Sequence, residues 1–145
     1  MRVTRSGVLR APAGDVWRVL SDPYALPRWW PLVRRVEGVH DGGWTMLLGR
    51  PGRRAVRADQ VLEASEPERL RRWSLVVPGS PFERFVGASA VEARLAPADG
   101  GSELRLELRQ SPRGWARFGG FMLRSAARHQ LDEALAGMAR AVEGR

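Results

Sequence analysis

The segment "APAGDVWRVLSDPYALPRWWPLVRRVEGV", residues 11–39, predicts two short helices placed directly one after the other. Pro12 suits the first position of a helix, and Asp15 complements the positive end of the helix dipole. The apolar residues of this first helix fall on one stripe at helical spacing: Val16, Trp17, Val19 and Leu20. At Asp22-Pro23 the chain presents a new N-cap followed by a proline, so a second helix is expected to start there and to run toward Trp29.

Outward from this segment the pattern changes to strands, with turn residues between them. The predicted strands are residues 3–10 ahead of the helices, then 32–39, 44–48, 56–64, 72–77, 85–95 and 103–109. Residues 115–143 contain no proline and are rich in helix-forming residues, which predicts one long C-terminal helix. Its core stripe consists of Ala127, Leu131, Ala134, Leu135, Met138 and Val142, although the pair Gly119-Gly120 can break the helical phase.

Length and composition limit the possible functions. A chain of 145 residues with 43% hydrophobic residues fits one globular domain, residues 1–145. It has no apolar run long enough to span a bilayer, and its N-terminus lacks the apolar core of a signal peptide, so we expect a cytoplasmic protein. There is no cysteine, and the two histidines have no clustered carboxylates nearby in sequence. We therefore expect neither a metal site nor a cofactor.

The net charge of +8 raises the possibility of a nucleic-acid partner. All 24 basic residues are arginine, however, and they are dispersed, which is more typical of codon usage in a GC-rich genome than of a selected phosphate-binding surface. Only Arg50, Arg53, Arg54 and Arg57 form a dense run. That run is either a solvated hairpin or a patch for an acidic partner, and nucleic acid is not the expected partner.

The order of these elements, a strand, two short helices, six mostly antiparallel strands and a long helix, defines an α+β fold. The chain resembles the START-related helix-grip superfamily (SRPBCC), including its polyketide cyclase/dehydrase-like branch. The resemblance lies in A-P at 11 and 12, V-W at 16 and 17, L-S-D at 20–22, Pro27 and W-x-P at 29–31, and in the ending "LDEALAGMARAVEG". It implies a curved, mainly antiparallel seven-stranded sheet wrapped around the C-terminal helix.

The resemblance also implies a deep apolar cavity between the sheet and the long helix. The buried parities of the strands offer Met46, Val56, Trp73 and Leu106 as its lining, and the helix stripe adds Leu131. Gln60 and Ser89 could supply hydrogen bonds, although buried polar side chains on strands often bond neighbouring backbone instead. Because adjacent residues are not expected to both face inward, we assign Trp30, with Tyr24 beside it, either to the cavity mouth or to the exposed surface. Trp29 is counted with the ligand-binding residues, but its main expected role is packing of the short helices against the sheet.

Arg124 is the candidate for chemistry inside this cavity. It continues the inward stripe of the long helix, where it would bind an enolate or carboxylate oxygen, unless the glycine pair rotates it toward solvent. Arg5, on the apolar parity of the first strand, is a weaker candidate of the same kind. His129 lies on the helix face opposite the core stripe, and His40 lies in a turn, so neither is expected to act as a general base.

The sequence therefore supports three functional hypotheses. The first is a cavity that binds a small hydrophobic molecule, as a polyketide cyclase/aromatase-type enzyme in which shape and Arg124 direct an aldol closure. The second is a non-catalytic carrier or sensor for a lipid or quinone. The third is a basic interaction module, in which residues 50–57 contact RNA or the ribosome. Whether the protein is an enzyme is left open by the sequence.

Overall fold

Alternating apolar and polar residues build a seven-stranded sheet in the computed structural model, which describes residues 1–143. The strands are β1 (Arg2–Leu9), β2 (Val33–His40), β3 (Gly43–Leu48), β4 (Val56–Glu66), β5 (Leu70–Leu75), β6 (Val86–Ala98) and β7 (Gly101–Pro112). The helices are α1 (Ala13–Leu20), α2 (Leu26–Trp29) and α3 (Gly120–Glu143), and two 3-10 turns lie at Pro23–Ala25 and Gly114–Phe118.

The sheet has the spatial order β1-β7-β6-β5-β4-β3-β2, and every neighbouring pair is antiparallel. Its concave face packs against α3, which confirms the predicted α+β helix-grip fold. The sheet has two ends. The open end is the one where β3, β5 and β7 finish and β4 and β6 begin, and the closed end is the opposite one, where β1 finishes and α1 follows.

The second helical segment starts at Asp22-Pro23 as predicted, but as a 3-10 turn that continues into α2, and Pro12 is the N-cap of α1 and not its first residue. The tryptophans at the end of α2 also differ from the prediction. Asp22 caps the 3-10 turn, since its Oδ1 accepts a hydrogen bond from the backbone N–H of Tyr24 at 3.0 Å. Trp29 and Trp30 are both buried. The expectation that only one of them faces inward is wrong because α2 ends at Trp29, and Trp30 has an extended backbone that turns its ring to the same side.

The predicted single helix over residues 115–143 is also wrong at its start. A 3-10 turn occupies Gly114–Phe118, the helical structure is interrupted at Gly119, and α3 begins at Gly120. The predicted core stripe of α3 is largely correct, and its fully buried members include Leu131, Ala134 and Met138. Packing begins only at Ala127, and most residues of the preceding two turns are exposed.

At the closed end the helix and sheet are in direct contact. Leu104 and Leu106 of β7 and Leu131 and Met138 of α3 have no exposed surface. Gly137 allows α3 to approach the backbone of α2 closely, since a Cβ atom there would lie 2.6 Å from the carbonyl oxygen of Trp29. The side chains therefore fill the interior at this end, which stabilises the fold and leaves no room for a ligand.

Candidate functional site

A hollow of about 160 Å³ lies between the sheet and α3 toward the open end. Strands β3 to β7 supply most of its wall, α3 contributes one residue, and the segments after α2 and before β6 form its rim. The residues that line it are Trp30, Pro31, Leu32, Met46, Leu48, Ala58, Gln60, Trp73, Leu75, Phe82, Val86, Ser89, Val91, Leu108, Gln110 and Gln130. The lining is mainly apolar, as is usual for sites that bind small molecules.

Four tryptophans form the floor beneath one side of the hollow. The ring of Trp73 makes edge-to-face contacts with Trp29, Trp30 and Trp44, at centroid distances of 6.4, 5.8 and 5.9 Å. Trp29 and Trp30 contact each other at 5.5 Å. Such pairs stabilise each other beyond their burial, so the two indoles that border the hollow, Trp30 and Trp73, are held in fixed positions.

Neutral amides provide the polar groups of the hollow. Gln60 extends from β4, Gln110 from β7 and Gln130 from α3. The chain contains three glutamines and no asparagine, so every carboxamide side chain it possesses borders this hollow. The Gln110 amide donates a hydrogen bond to the hydroxyl of Ser89 at 3.3 Å. Within residues 1–143, the side chains of Gln60 and Gln130 make no hydrogen bond to the protein.

The lining is also free of ionisable side chains among the described residues. The nearest buried charge in the tryptophan floor is Arg71, whose guanidinium lies 5.6 Å from the ring centroid of Trp44 and donates a hydrogen bond to Ser65 at 3.1 Å. Burial lowers the pKa of Arg71, and the charge of Asp22 opposes that shift. Arg71 does not line the hollow, so the hollow itself offers hydrogen bonds without charge.

The rim includes one residue with an unusual backbone. Leu32 has φ of 66°, in the left-handed region that non-glycine residues rarely adopt. Its carbonyl oxygen accepts a hydrogen bond from Gly49 at 2.9 Å, and 56% of its side chain is exposed. The conformation holds an apolar side chain at the rim, and such outliers are found preferentially at functional sites.

The structure brings five of the sequence-predicted site residues to the hollow: Trp30, Met46, Gln60, Trp73 and Ser89. Three others are buried but lie outside the hollow. Trp29 packs behind Trp30, and Leu106 and Leu131 belong to the solid core. Their ligand-binding roles stay predictions, but their positions assign them to packing.

The remaining three predicted site residues are exposed, which corrects their expected positions. Arg124 lies in the first two turns of α3, whose residues are mostly exposed, and it does not line the hollow. Tyr24 is 62% exposed because its 3-10 turn presents the ring outward. Val56 has the inward parity of Ala58 and Gln60, but it is the first residue of β4, beyond the reach of α3.

The other singled-out polar residues also have partners outside the hollow. Arg5 forms a two-point ion pair with Asp132 of α3, with N–O distances of 2.8 and 3.0 Å. Hydrogen bonding to Asp132, with its charge, raises the pKa of Arg5. His129 is exposed and lies 2.9 Å from Glu133, as expected for the solvent face. His40 accepts a hydrogen bond from the backbone of Gly42 in its turn.

Two glutamines of the hollow were missed in the sequence, although signals for both were present. Gln110 continues the inward parity of Leu104, Leu106 and Leu108, and the predicted strand stopped one residue before it. Gln130 lies three residues after Ala127, within the stripe that faces the sheet. Gln110 was therefore missed because the predicted strand was too short, and Gln130 because the predicted stripe of the helix contained only apolar residues.

Residues 1–143 match the family described as polyketide cyclase / dehydrase and lipid transport. The chain belongs to this family. A search of curated proteins finds no match.

Solved structures similar to this member of the polyketide cyclase / dehydrase and lipid transport family share its fold. A START superfamily protein from Mycobacterium smegmatis has a TM-score of 0.80 at 13% identity, over 99% of this chain and 97% of that one. Protein CV1439 from Chromobacterium violaceum has a TM-score of 0.75 at 19% identity, over 98% and 96%. The di-domain ARO/CYC StfQ of the steffimycin biosynthetic pathway has a TM-score of 0.78 at 13% identity, over 99% of this chain and 51% of that chain.

Two further classes of feature are absent from residues 1–143 of this family member. No helix there is both long enough and apolar enough to cross a bilayer. No group of three or more His, Cys, Asp or Glu side chains there is arranged to hold a metal ion.

Proposed function

We propose that this protein binds a small, neutral and mainly apolar molecule that carries carbonyl or hydroxyl oxygens, such as a lipid or quinone, without transforming it. The observation that carries this proposal is the convergence of all three glutamines on one apolar hollow. A carboxamide both donates and accepts hydrogen bonds, so it suits an uncharged oxygen. An apolar wall with a few converging polar groups is the usual composition of a ligand site.

The size of the hollow limits the part of a ligand that it encloses. Its volume of about 160 Å³ is below the roughly 300–1,000 Å³ typical of sites for drug-sized ligands. A single fused ring or a short chain fits, and a longer molecule extends past Leu32 and Phe82 at the rim. We therefore expect one ring or segment of the ligand to be held by the glutamines, with the rest toward the open end.

Cyclisation of a poly-β-keto chain is the second candidate, supported by the family description and by the similarity to StfQ. An aldol closure requires proton transfer or stabilisation of an enolate. The hollow's lining among residues 1–143 contains no ionisable group, and the arginine assigned to this role, Arg124, is exposed. The geometry therefore favours binding over catalysis.

Titration with 1,4-naphthoquinone tests the proposal. This probe is a fused ring with two carbonyl oxygens, and quinones quench indole fluorescence, so binding beside Trp30 and Trp73 should appear as saturable quenching. Naphthalene is the matched probe, with the same ring and no oxygen. We expect the combined change Gln60→Leu and Gln130→Leu to weaken naphthoquinone binding about tenfold, from two lost hydrogen bonds, and to leave naphthalene binding unchanged or stronger.

Two controls make this test decisive. Ala58→Leu places a larger side chain in the hollow and should weaken the binding of both probes. Tyr24→Leu changes an exposed aromatic residue outside the hollow and should weaken the binding of neither. Because the lining lacks ionisable side chains, affinity should be constant between about pH 5 and 9. The proposal would be overturned if naphthoquinone gave no saturable quenching. It would also be overturned if neither the glutamine substitutions nor Ala58→Leu changed the affinity measured by quenching. Turnover of a poly-β-keto substrate would favour the cyclase instead.

A further inference from the structure

The open end of the molecule displays an unusual set of exposed apolar side chains. Trp115 is 89% exposed, Phe121 82%, Met122 76%, Phe118 70% and Phe85 55%. We call these five residues the aromatic patch. Single exposed apolar residues are normal on a protein surface, but a concentration of aromatic rings in one short segment marks an interaction site.

The aromatic patch is held by the backbone around it. Phe85 ends the β5–β6 loop, and its carbonyl oxygen accepts a hydrogen bond from the backbone of Arg113 at 2.7 Å. The Arg113 guanidinium also donates to the carbonyl of Glu83 at 3.2 Å. Trp115 and Phe118 lie on one 3-10 turn with ring centroids 6.1 Å apart. The end of the loop and the segment before the turn are therefore held next to each other at the open end, where both carry exposed rings.

The charges around the patch are predominantly positive. Residues 108–131 contain no Asp or Glu. Of their arginines, Arg109 pairs with Glu107 on the sheet. The other four are Arg113, Arg117, Arg124 and Arg128. The guanidinium of Arg117 lies 5.0 Å from the ring centroid of Phe118. In the adjacent loop the charges of Glu83 and Arg84 offset each other. The β3–β4 connection at the same end adds the exposed run from Arg50 to Arg54.

We propose that the aromatic patch docks this protein on an anionic lipid bilayer. Tryptophan and phenylalanine side chains partition into the headgroup region, and arginines next to them pair with anionic lipid phosphates. Charge complementarity selects this partner over a second copy of the chain, because a dimer through the patch would bring two sets of unpaired arginines together.

The docking surface adjoins the rim of the hollow. Phe82 and Val86, on either side of Phe85, line the hollow, and Gln130 lies two turns after the exposed Met122 on α3. Docking would turn the rim toward the lipid. In that orientation the hollow would take its ligand from the bilayer, a consequence that rests on the proposed function, whereas docking itself does not.

Vesicle flotation tests the docking. We expect the protein to float with vesicles of phosphatidylcholine and phosphatidylglycerol and much less with phosphatidylcholine alone. Trp115→Ser combined with Phe121→Ser should reduce the bound fraction at least tenfold, through loss of apolar burial. Arg117→Gln combined with Arg124→Gln should weaken binding to the anionic vesicles by about fivefold for each arginine, and added salt should abolish that difference.

The control variants carry the same changes elsewhere on the surface. Tyr24→Ser removes an exposed aromatic ring, and Arg18→Gln with Arg69→Gln removes two exposed charges outside the patch. Neither should alter flotation. Vesicles with brominated acyl chains should quench the fluorescence of Trp115, and Trp115→Phe should lose this quenching while it still floats.

Three outcomes would overturn the proposal. They are no flotation with anionic vesicles, flotation that the patch variants share with wild type, and a wild-type dimer in solution that Trp115→Ser with Phe121→Ser makes monomeric. The test is independent of the ligand hypothesis. Gln60→Leu with Gln130→Leu should float normally, and the patch variants should bind naphthoquinone normally, so either proposal can fail alone.

Discussion

The two ends of the space between the sheet and α3 are built from the same elements but contrast in packing. At the closed end, Leu104, Leu106, Leu131 and Met138 are fully buried and helix and backbone touch at Gly137. Toward the open end, β4, β6 and β7 place Gln60, Ser89 and Gln110 around a hollow. Apolar side chains at one end stabilise the fold, whereas amides and exposed rings at the other end leave surface for a partner.

The contrast follows from where α3 stops touching the sheet. From Ala127 onward its inward residues are buried, and before Ala127 most residues are exposed. Gln130 lies at the junction, one residue before the fully buried Leu131. A single helix thus provides the core of one end and the rim of the other, so changes at its two ends should have different effects.

The largest effect is expected from Gly137→Ala. The added Cβ would lie 2.6 Å from the carbonyl oxygen and 2.8 Å from the Cα of Trp29, and backbone atoms cannot easily move away. Although alanine favours helix by about 1 kcal/mol, overpacking should lower the free energy of unfolding by about 2 kcal/mol net. Urea unfolding measures this change.

Gly120→Ala is the matched control at the open end. A Cβ atom added there would have no other atom within 4 Å, and the residue begins α3. Stability should rise by up to about 1 kcal/mol. If Gly137→Ala were as stable as Gly120→Ala, the two ends would not differ in packing as described.

The sequence predicted the sheet well because period-two alternation is a local property. Parity placed Met46, Gln60, Trp73 and Ser89 on the inward face, and the same parity contained Gln110. Parity does not tell how far along a strand the opposing helix extends. Val56 therefore has the correct face and yet lies at the exposed start of β4.

The tertiary features of the helices were less accessible to sequence reasoning. Helical phase placed Arg124 on the core stripe, but phase alone does not show that the burial of this stripe begins only at Ala127. The rule that adjacent residues face different sides applies only within one helix or strand. It fails for Trp29 and Trp30 because α2 ends between them. In both cases the deciding information was the position at which one element ends relative to its neighbour.

A smaller effect is expected from Glu92→Gln on the outer face of the sheet, where, unlike in the hollow, charges are present. Glu92 accepts hydrogen bonds from Arg72 at 2.7 and 3.0 Å and from Arg94 at 2.9 Å. Burial acts to raise the pKa of Glu92, but the two arginines outweigh it and lower that pKa. The substitution should lower the free energy of unfolding at pH 7 by about 1 kcal/mol.

The sign of this pH dependence follows from the lowered pKa. The carboxylate stabilises the folded state above its unfolded pKa of about 4.3, and that contribution is lost as the pH falls through the lower folded value. Wild type and Glu92→Gln should therefore converge in acid, as measured by urea unfolding from pH 7 downward. Glu103→Gln, an exposed glutamate of β7, serves as the control and should show little difference at any pH. Naphthoquinone binding by the folded protein should not follow this curve.

The smallest effect is expected from Arg5→Met, which removes the ion pair with Asp132 at the boundary between the two ends. Both side chains are nearly half exposed, so the free energy of unfolding should fall by less than about 1 kcal/mol. The effect on local opening should be larger, because this ion pair connects β1 to α3 shortly after the exposed first two turns of the helix. Hydrogen exchange of residues 120–130 should quicken while exchange around Met138 is unchanged, and Arg18→Met, which breaks the ion pair with Asp15, should alter neither. Uniform acceleration along α3 would mean that the helix opens as one unit and that the boundary at Ala127 does not separate two regions.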